Sequence, residues 1–254
     1  MVRVRVRLAI NVSFVAVGLL ALFTTFGLAQ QAPASGQPEG QAVERQAEIQ
    51  VARLDRRQSE PGKFDFYVLA LSWSPSYCAA AQERAPDRAP DQQCSGRPFS
   101  FVVHGLWPQY EHGFPAYCQV PAPRLDRSIV GSMLDLMPSP RLIFHEWDRY
   151  GTCLGLSGRA YFETIRKARA VVKIPAEYLE LDKPITVSPG VVAEAFVRAN
   201  PGLSPANFMI ACDRKRLTEI RVCIGKDFSF HDCSEVTRRA CRLDKMVMPA
   251  VRGG

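Results

Sequence analysis

Two short stretches, about forty residues apart, decide the fold of this 254-residue chain. Residues 101–108 read FVVHGLWP, and residues 144–153 read FHEWDRYGTC. The chain has four histidines, and two of them, His104 and His145, lie in these stretches. The second stretch adds a carboxylate, a guanidinium and a cysteine. Imidazole, carboxylate and cation together can move protons and stabilise developing negative charge.

These stretches resemble the HGLWP-type and HEWxKHGTC-type segments of the ribonuclease T2 family. The resemblance extends to residues 65–78, which read DFYVLALSWSPSYC, and to residues 217–223, which read LTEIRVC. It implies an α+β fold with a central antiparallel sheet, several helices and disulfide bonds. It also implies an endoribonuclease that cleaves single-stranded RNA by transphosphorylation without a metal or other cofactor. A 2′,3′-cyclic phosphate forms first, and hydrolysis to a 3′-phosphate follows.

The resemblance assigns roles to four residues in the two stretches. His104 matches the catalytic histidine of the first segment, and we expect it to be the general acid. His145 is implied to contact phosphate, and Glu146 to balance charge. Arg149 stands where the family usually has lysine and keeps the positive charge. Trp107 is expected to stack under a substrate base or to pack in the core, whereas Trp147 is predicted to be a core residue.

Tyr150 departs from the family pattern, because it stands where the second catalytic histidine, the usual general base, is expected. A tyrosine with a pKa near 10 is a poor base at neutral pH. Either His145 or Glu146 takes the base role, or the protein binds RNA and cleaves it slowly or not at all. A glutamate base with a reference pKa of about 4.3 would sustain activity well below pH 6. The remaining histidines, His112 and His231, are interpreted as exposed.

Eight cysteines behind a leader-like segment indicate disulfides formed in an oxidising compartment. No Cys-x-x-Cys pair is present, which disfavours a zinc ribbon or a redox dithiol. The sequence alone leaves 105 ways to pair the eight cysteines in four disulfides. The resemblance narrows them to Cys118–Cys153, Cys212–Cys241 and Cys223–Cys233, with Cys78–Cys94 as the remaining, nearby pair.

Residues 1–29 have the basic, apolar and small-residue regions of a secretory signal, with cleavage expected near Ala29. The alternative is an uncleaved membrane anchor, because the apolar run approaches spanning length. Residues 30–62 lack apolar periodicity and are predicted to be a disordered linker. Residues 63–250 form one predicted domain. We expect a monomer in the periplasm or outside the cell, without membrane attachment after cleavage.

The net charge of +7 falls to +4 without the three arginines of the leader, which has no acidic residues. A mildly basic protein suits a polyanionic partner such as RNA, although such a charge is common elsewhere. We expect no cleavage of DNA, which lacks the 2′-hydroxyl nucleophile.

Helices and strands mix without a repeating βαβ pattern, which favours α+β over a doubly wound sheet. The predicted helices cover residues 126–136, 161–172 and 189–199, and the predicted strands cover residues 64–73, 99–103, 208–210, 217–224 and 228–230.

Other protein classes are also weighed. A zinc metalloprotease motif would need a histidine at position 149, which is Arg149, so that class is excluded. A cysteine hydrolase built on Cys153 and His145 stays open, and free-thiol titration would test it. The strongest rival is a secreted RNA-binding protein without enzymatic activity, favoured by Tyr150.

Overall fold

The computed structural model describes residues 59–87 and 89–251. Its strands are β1 (Phe66–Trp73), β2 (Phe101–Gln109), β3 (Ile185–Val187), β4 (Phe208–Cys212), β5 (Leu217–Ile224) and β6 (Met246–Met248). Its helices are α1 (Ser74–Arg84), α2 (Gln92–Ser95), α3 (Arg127–Met133), α4 (Pro140–Arg149), α5 (Gly158–Val171), α6 (Pro189–Ala199) and α7 (Ser234–Thr237). Two 3₁₀ turns cover Gly151–Leu154 and Ala176–Tyr178. The fold is α+β, as the sequence predicts.

An antiparallel sheet with strand order β2-β1-β5-β4 forms the centre of the fold, and β3 pairs with β6 in a small second sheet. Because side chains alternate along a strand, Leu69 and Leu71 of β1 point into the main apolar core. Val68, Ala70 and Ser72 occupy the opposite face. Val68 joins a small apolar cluster there, while the short side chains of Ala70 and Ser72 leave room above the sheet.

A β-bulge interrupts the pairing of β1 with β2 at His104. Ala70 pairs with Gly105 and Leu71 pairs with Val103, so His104 has no partner on β1. A bulge re-aims the side chain it carries and is common beside active sites. The predicted strand 99–103 in fact runs on as β2, because pairing with β1 resumes after the bulge. His104 therefore lies within a strand rather than after one.

Helix α4 carries most of the second stretch. It has no counterpart among the predicted helices, the nearest of which, residues 126–136, is expected to end before Pro138. Pro140 instead occupies the first helical turn, where its missing N–H costs nothing. The Ser139 hydroxyl accepts a hydrogen bond from the backbone N–H of Leu142 at 3.3 Å and caps the helix. Pro75 starts α1 in the same way, where the sequence analysis predicted only the end of a strand.

The other predicted elements are largely confirmed. Helix α6 and strand β5 have the predicted bounds, and α5 begins three residues earlier than predicted. The predicted strand 228–230 is wrong. The chain turns after Gly225, and only a single bridge joins Ile224 to Phe230.

All four predicted disulfides are confirmed, and the described residues contain no free cysteine. The Cys118–Cys153 bond ties the loop after β2 to the turn that follows α4. Because Cys153 is oxidised, the cysteine-hydrolase alternative is wrong.

The predicted signal at residues 1–29 lies outside the described residues, as does the linker 30–62 except for its last four positions. The predicted domain 63–250 lies inside them apart from residue 88. Across residues 59–87 and 89–251, no helix combines the length and the apolarity needed to cross a membrane.

Candidate active site

His104 reaches across β1 to a carboxylate on β5. Its Nδ1 lies 2.7 Å from Oε2 of Glu219, which also accepts a hydrogen bond from the Ser72 hydroxyl at 3.2 Å. The other oxygen of Glu219 accepts a hydrogen bond from Nε of Arg221 at 2.6 Å. The side chain of His104 is 38% exposed, whereas that of Glu219 is 6% exposed. A substrate can therefore reach the imidazole of His104, whereas the Glu219 carboxylate is enclosed by protein.

Glu146 on α4 lies on the other side of the imidazole. Its Oε1 is 3.8 Å from Nε2 of His104, and its Oε2 accepts a hydrogen bond from the Trp107 indole N–H at 2.7 Å. The Glu146 side chain is 1% exposed. Gly105 makes this approach possible, since a Cβ at that position would overlap the carboxylate. Gly105 of the first stretch thus leaves the space that the Glu146 carboxylate of the second stretch occupies.

The two carboxylates beside His104 differ in protonation. Burial raises the pKa of Glu146 to about 7, against the opposing charge of His104 and the Trp107 hydrogen bond. Burial also raises the pKa of Glu219, but hydrogen bonds and charge from His104 and Arg221 outweigh it and hold the pKa below its usual value. Burial lowers the pKa of His104, and Glu219 more than reverses this, so the pKa is raised overall. His104 and Glu219 therefore form an ion pair, while Glu146 titrates near neutrality.

Aromatic rings and a guanidinium surround Tyr150 at the end of α4. The Tyr150 ring centroid is 5.5 Å from that of Trp107 and 6.2 Å from that of Phe114. The Arg149 guanidinium lies 5.2 Å from the Tyr150 ring centroid and 5.8 Å from that of Tyr117. Burial raises the pKa of Tyr150, partly opposed by the charge of Arg149. The phenol is therefore protonated at neutral pH and cannot serve as a base.

Arg149 carries an unsatisfied donor. Its Nε is buried and makes no hydrogen bond to any residue that the structure describes. A buried N–H normally has a partner, so this one is suited to an acceptor supplied from outside.

A pocket of about 220 Å³ opens beside these rings. Trp107, Gln109, Phe114, Tyr150 and Arg221 contribute to its lining. The Arg221 guanidinium lies 5.0 Å from the Trp107 ring centroid. Trp107 thus contacts a cation, a phenol and the Glu146 carboxylate and also borders the pocket. Its predicted role under a base stays a prediction.

His145 is near enough to His104 and Arg149 for their charges to affect its pKa. It is exposed and lines a second cleft of about 1090 Å³ together with α1 and Arg141. Burial and the charges of Arg149 and His104 lower the pKa of His145, so it is neutral at pH 7. Of the predicted site residues, the structure brings His104, Trp107 and Glu146 into contact and places Arg149 against Tyr150. His145 lines the larger cleft.

Sequence reasoning missed Ser72, Glu219 and Arg221. The available signal was the pair of charged residues at alternate positions of β5, which share a face in a strand that is otherwise largely apolar. The prediction for His231 is only partly right, because its ring stacks on Phe66 at 4.5 Å and lies near Glu111.

The predictions that His112 is exposed and that Trp147 is a core residue are confirmed. The side chain of His112 is 87% exposed. Trp147 is buried in the core, with its indole N–H donating to the Pro123 carbonyl. Within the described ranges, no group of three or more His, Cys, Asp and Glu side chains is placed to hold a metal ion.

The fold and the site together define a disulfide-bonded α+β protein with a histidine and two glutamates in an acid–base arrangement. Residues 64–233 match the sequence model of the Ribonuclease T2 family, and the chain belongs to this family.

Three relatives show how far the similarity extends. A ribonuclease of Aeromonas hydrophila is 47% identical over 100 residues, which cover 39% of this chain and 42% of that protein. A probable ribonuclease of Haemophilus influenzae is 33% identical over 135 residues, half of each chain. The crystal structure of RNase NT in complex with 5′-AMP is 26% identical with a TM-score of 0.53, covering 67% of this chain and 91% of that one. The matches thus span half or less of the two bacterial relatives.

Proposed function

We propose that this protein is an endoribonuclease that cleaves single-stranded RNA by transphosphorylation through a 2′,3′-cyclic phosphate to 3′-phosphate ends. The observation that carries the proposal is His104, which lies between an ionised carboxylate at Nδ1 and a carboxylate with a pKa of about 7 near Nε2. General acid–base catalysis requires an acid and a base with suitable pKa values. The pKa of Glu146 is about 7, and that of His104 is raised above its usual value. Membership of the Ribonuclease T2 family supports the substrate class.

Glu146 is proposed as the general base and His104 as the general acid. Glu146 removes the proton of the ribose 2′-hydroxyl while that oxygen bonds to the neighbouring phosphorus. The bond from phosphorus to the 5′-oxygen breaks, and the leaving oxygen takes the proton from Nε2 of His104. Oε1 of Glu146 lies 3.8 Å from Nε2 of His104. Because the Glu146 side chain is 1% exposed, this role requires that RNA binding uncover Oε1. In the hydrolysis step the roles reverse, with water as nucleophile.

Arg149 and Tyr150 are proposed to bind the phosphoryl oxygens. The Arg149 Nε–H lacks an acceptor among the described residues, and a phosphate oxygen would supply one. The protonated Tyr150 hydroxyl is a further donor at the same end. His145, which lines the larger cleft, is proposed to contact RNA beyond the cleaved phosphate, and Trp107 to contact a base. The 5′-AMP held by RNase NT supports nucleotide binding by this fold.

We further propose that the protein acts as a monomer in the periplasm or outside the cell, after removal of the leader and without a cofactor. Four disulfides among the described residues favour an oxidising compartment.

A second candidate function is RNA binding without cleavage. It is favoured by Tyr150, which stands at the usual position of the second histidine and has a raised pKa.

One assay tests both candidates. A single-stranded RNA oligonucleotide and its 2′-deoxy counterpart are incubated with the protein in excess EDTA, and product ends are analysed by mass. We expect cleavage of RNA alone, with cyclic phosphate appearing before 3′-phosphate. RNA binding without products would favour the second candidate. Equal cleavage of DNA, or strict dependence on a divalent ion, would refute the mechanism.

A further inference from the structure

Glu219 is the buried residue whose contacts the proposed reaction leaves unexplained. It lies two strands away from His104 in the sheet, yet its Oε2 is 2.7 Å from the imidazole Nδ1. The contact depends on the bulge that re-aims His104 and on the small Ala70 and Ser72 of the intervening strand. A larger side chain at either position would fill the space between the two partners.

We propose that Glu219 is a positioning residue, which holds the proton of His104 on Nδ1, fixes the imidazole orientation and so presents Nε2 to the reacting phosphate. This deepens the proposed function and rests on it for its catalytic meaning. An ionised carboxylate has only acceptors, so Nδ1 must be the donor in this hydrogen bond. Nε2 is then the nitrogen that gains and loses the exchangeable proton.

The surroundings of Glu219 hold it in one orientation. Ser72 donates to Oε2 and Arg221 donates to Oε1, so both oxygens are occupied and the carboxylate cannot rotate without losing a partner. Arg221 also lies over the Trp107 ring, and Trp107 donates to Glu146. One chain of contacts therefore runs from Glu219 to the proposed base.

Charged and titratable groups face His104 from two elements. Glu219 and Arg221 face it from β5, and Glu146 and His145 act on it from α4. Arg221 and His145 are cationic or neutral and cannot stabilise the imidazolium. Without the charge of Glu219, Glu146 is the remaining anionic neighbour that raises the pKa of His104, and its effect is the weaker one. Burial then dominates, so the pKa of His104 must fall.

The test compares Glu219→Gln with the wild type and with Glu83→Gln. The glutamine keeps the shape and an acceptor oxygen but removes the charge. Glu83→Gln is the matched control, since Glu83 pairs with Arg216 and Lys215 on another part of the surface. The ring signals of His104 are followed by ¹H–¹⁵N NMR across the pH range, and kcat/KM for an RNA substrate is measured over the same range.

In Glu219→Gln we expect the His104 titration to move to lower pH by roughly one pH unit or more. The alkaline limb of kcat/KM should move with it, which lowers kcat at pH 8 by about tenfold while KM changes little. Glu83→Gln should leave both curves unchanged. Unchanged curves in Glu219→Gln, whatever its thermal stability, would overturn the proposal.

The wild-type protein provides a second test that needs no variant. Above its pKa, neutral His104 should carry its proton on Nδ1, which ¹⁵N chemical shifts report directly. A proton on Nε2 instead would overturn the proposal even if Glu219→Gln failed to fold. Absence of RNA cleavage by the wild type, with the titrations as expected, would refute the proposed function and leave the Glu219–His104 pairing standing.

Discussion

The two ends of the candidate site are built in different ways. At the His104 end, every polar group of Glu219 is paired, and the imidazole has an anionic partner. At the Tyr150 end, aromatic rings surround a guanidinium whose Nε has no acceptor among the described residues. The first end is organised before substrate arrives, whereas the second lacks a group that substrate would provide.

The comparison indicates a division of labour. Proton transfer needs groups with controlled pKa values, and we propose that His104 and the two glutamates beside it are these groups. Charge stabilisation needs hydrogen-bond donors, and Arg149 and Tyr150 are the donors that we propose for it. We propose that Glu146, whose pKa is raised to about 7, supplies the proton acceptor that a histidine at position 150 would otherwise provide.

The largest expected effect is that of His104→Ala. Loss of the proposed acid should lower kcat by roughly 10²–10⁴-fold and leave KM nearly unchanged. Tyr150→Phe is the comparison variant, because it removes one donor at the other end and should cost far less. A loss in Tyr150→Phe as large as that in His104→Ala would break the distinction between the two ends.

A smaller loss is expected from Gly105→Ala. The added Cβ would overlap the Glu146 carboxylate and the Trp107 ring nitrogen, so the proposed base must move. We expect a drop in kcat together with a destabilisation of about 1–3 kcal/mol, the usual cost of overpacking. Gly131→Ala in α3 is the control, since a Cβ there meets open space and should be neutral or slightly stabilising. Full activity of Gly105→Ala would show that the position of Glu146 is unimportant.

The pH dependence should separate the two titrating groups. As base, Glu146 must be ionised, so kcat/KM should fall as pH drops through about 7. As acid, His104 must be protonated, so activity should fall again as pH rises above its raised pKa. A bell-shaped profile follows, with its acid limb near pH 7. Strong activity well below pH 6, which the sequence predicted for a glutamate base with its reference pKa, would contradict the role of buried Glu146.

Local patterns explain which parts of this architecture were predictable. Helix α6 follows from Pro189 at its first turn, Pro201 beyond its end and a clear apolar stripe. Helix α4 is harder to predict, because proline occurs both at the first turn of helices and just beyond their ends. Only the Ser139 cap indicates that Pro140 starts a helix. The fold and the disulfides follow from the family resemblance rather than from residue patterns.

Long-range contacts explain what could not be predicted. Glu219 is 115 residues from His104 and meets it only because β1 lies between their strands and the bulge turns the imidazole. Neither sheet order nor a bulge is encoded in local periodicity. The raised pKa of Glu146 likewise depends on burial that only the folded chain provides.

The smallest expected effect is that of Tyr150→His, and it decides between the two accounts of the base. If Glu146 is the base, a histidine at position 150 adds a second proton acceptor to a site that already has one. We then expect less than about a tenfold gain in kcat, with Glu146→Gln nearly inactive. If the base position is vacant, Tyr150→His should raise kcat by as much as roughly 10²–10⁴-fold, the usual worth of a positioned proton-transfer group. Steady-state kinetics of both variants on one RNA substrate separates these outcomes. If Tyr150→Phe abolished activity while Glu146→Gln did not, both accounts would fail, because the phenol itself would then take part in proton transfer.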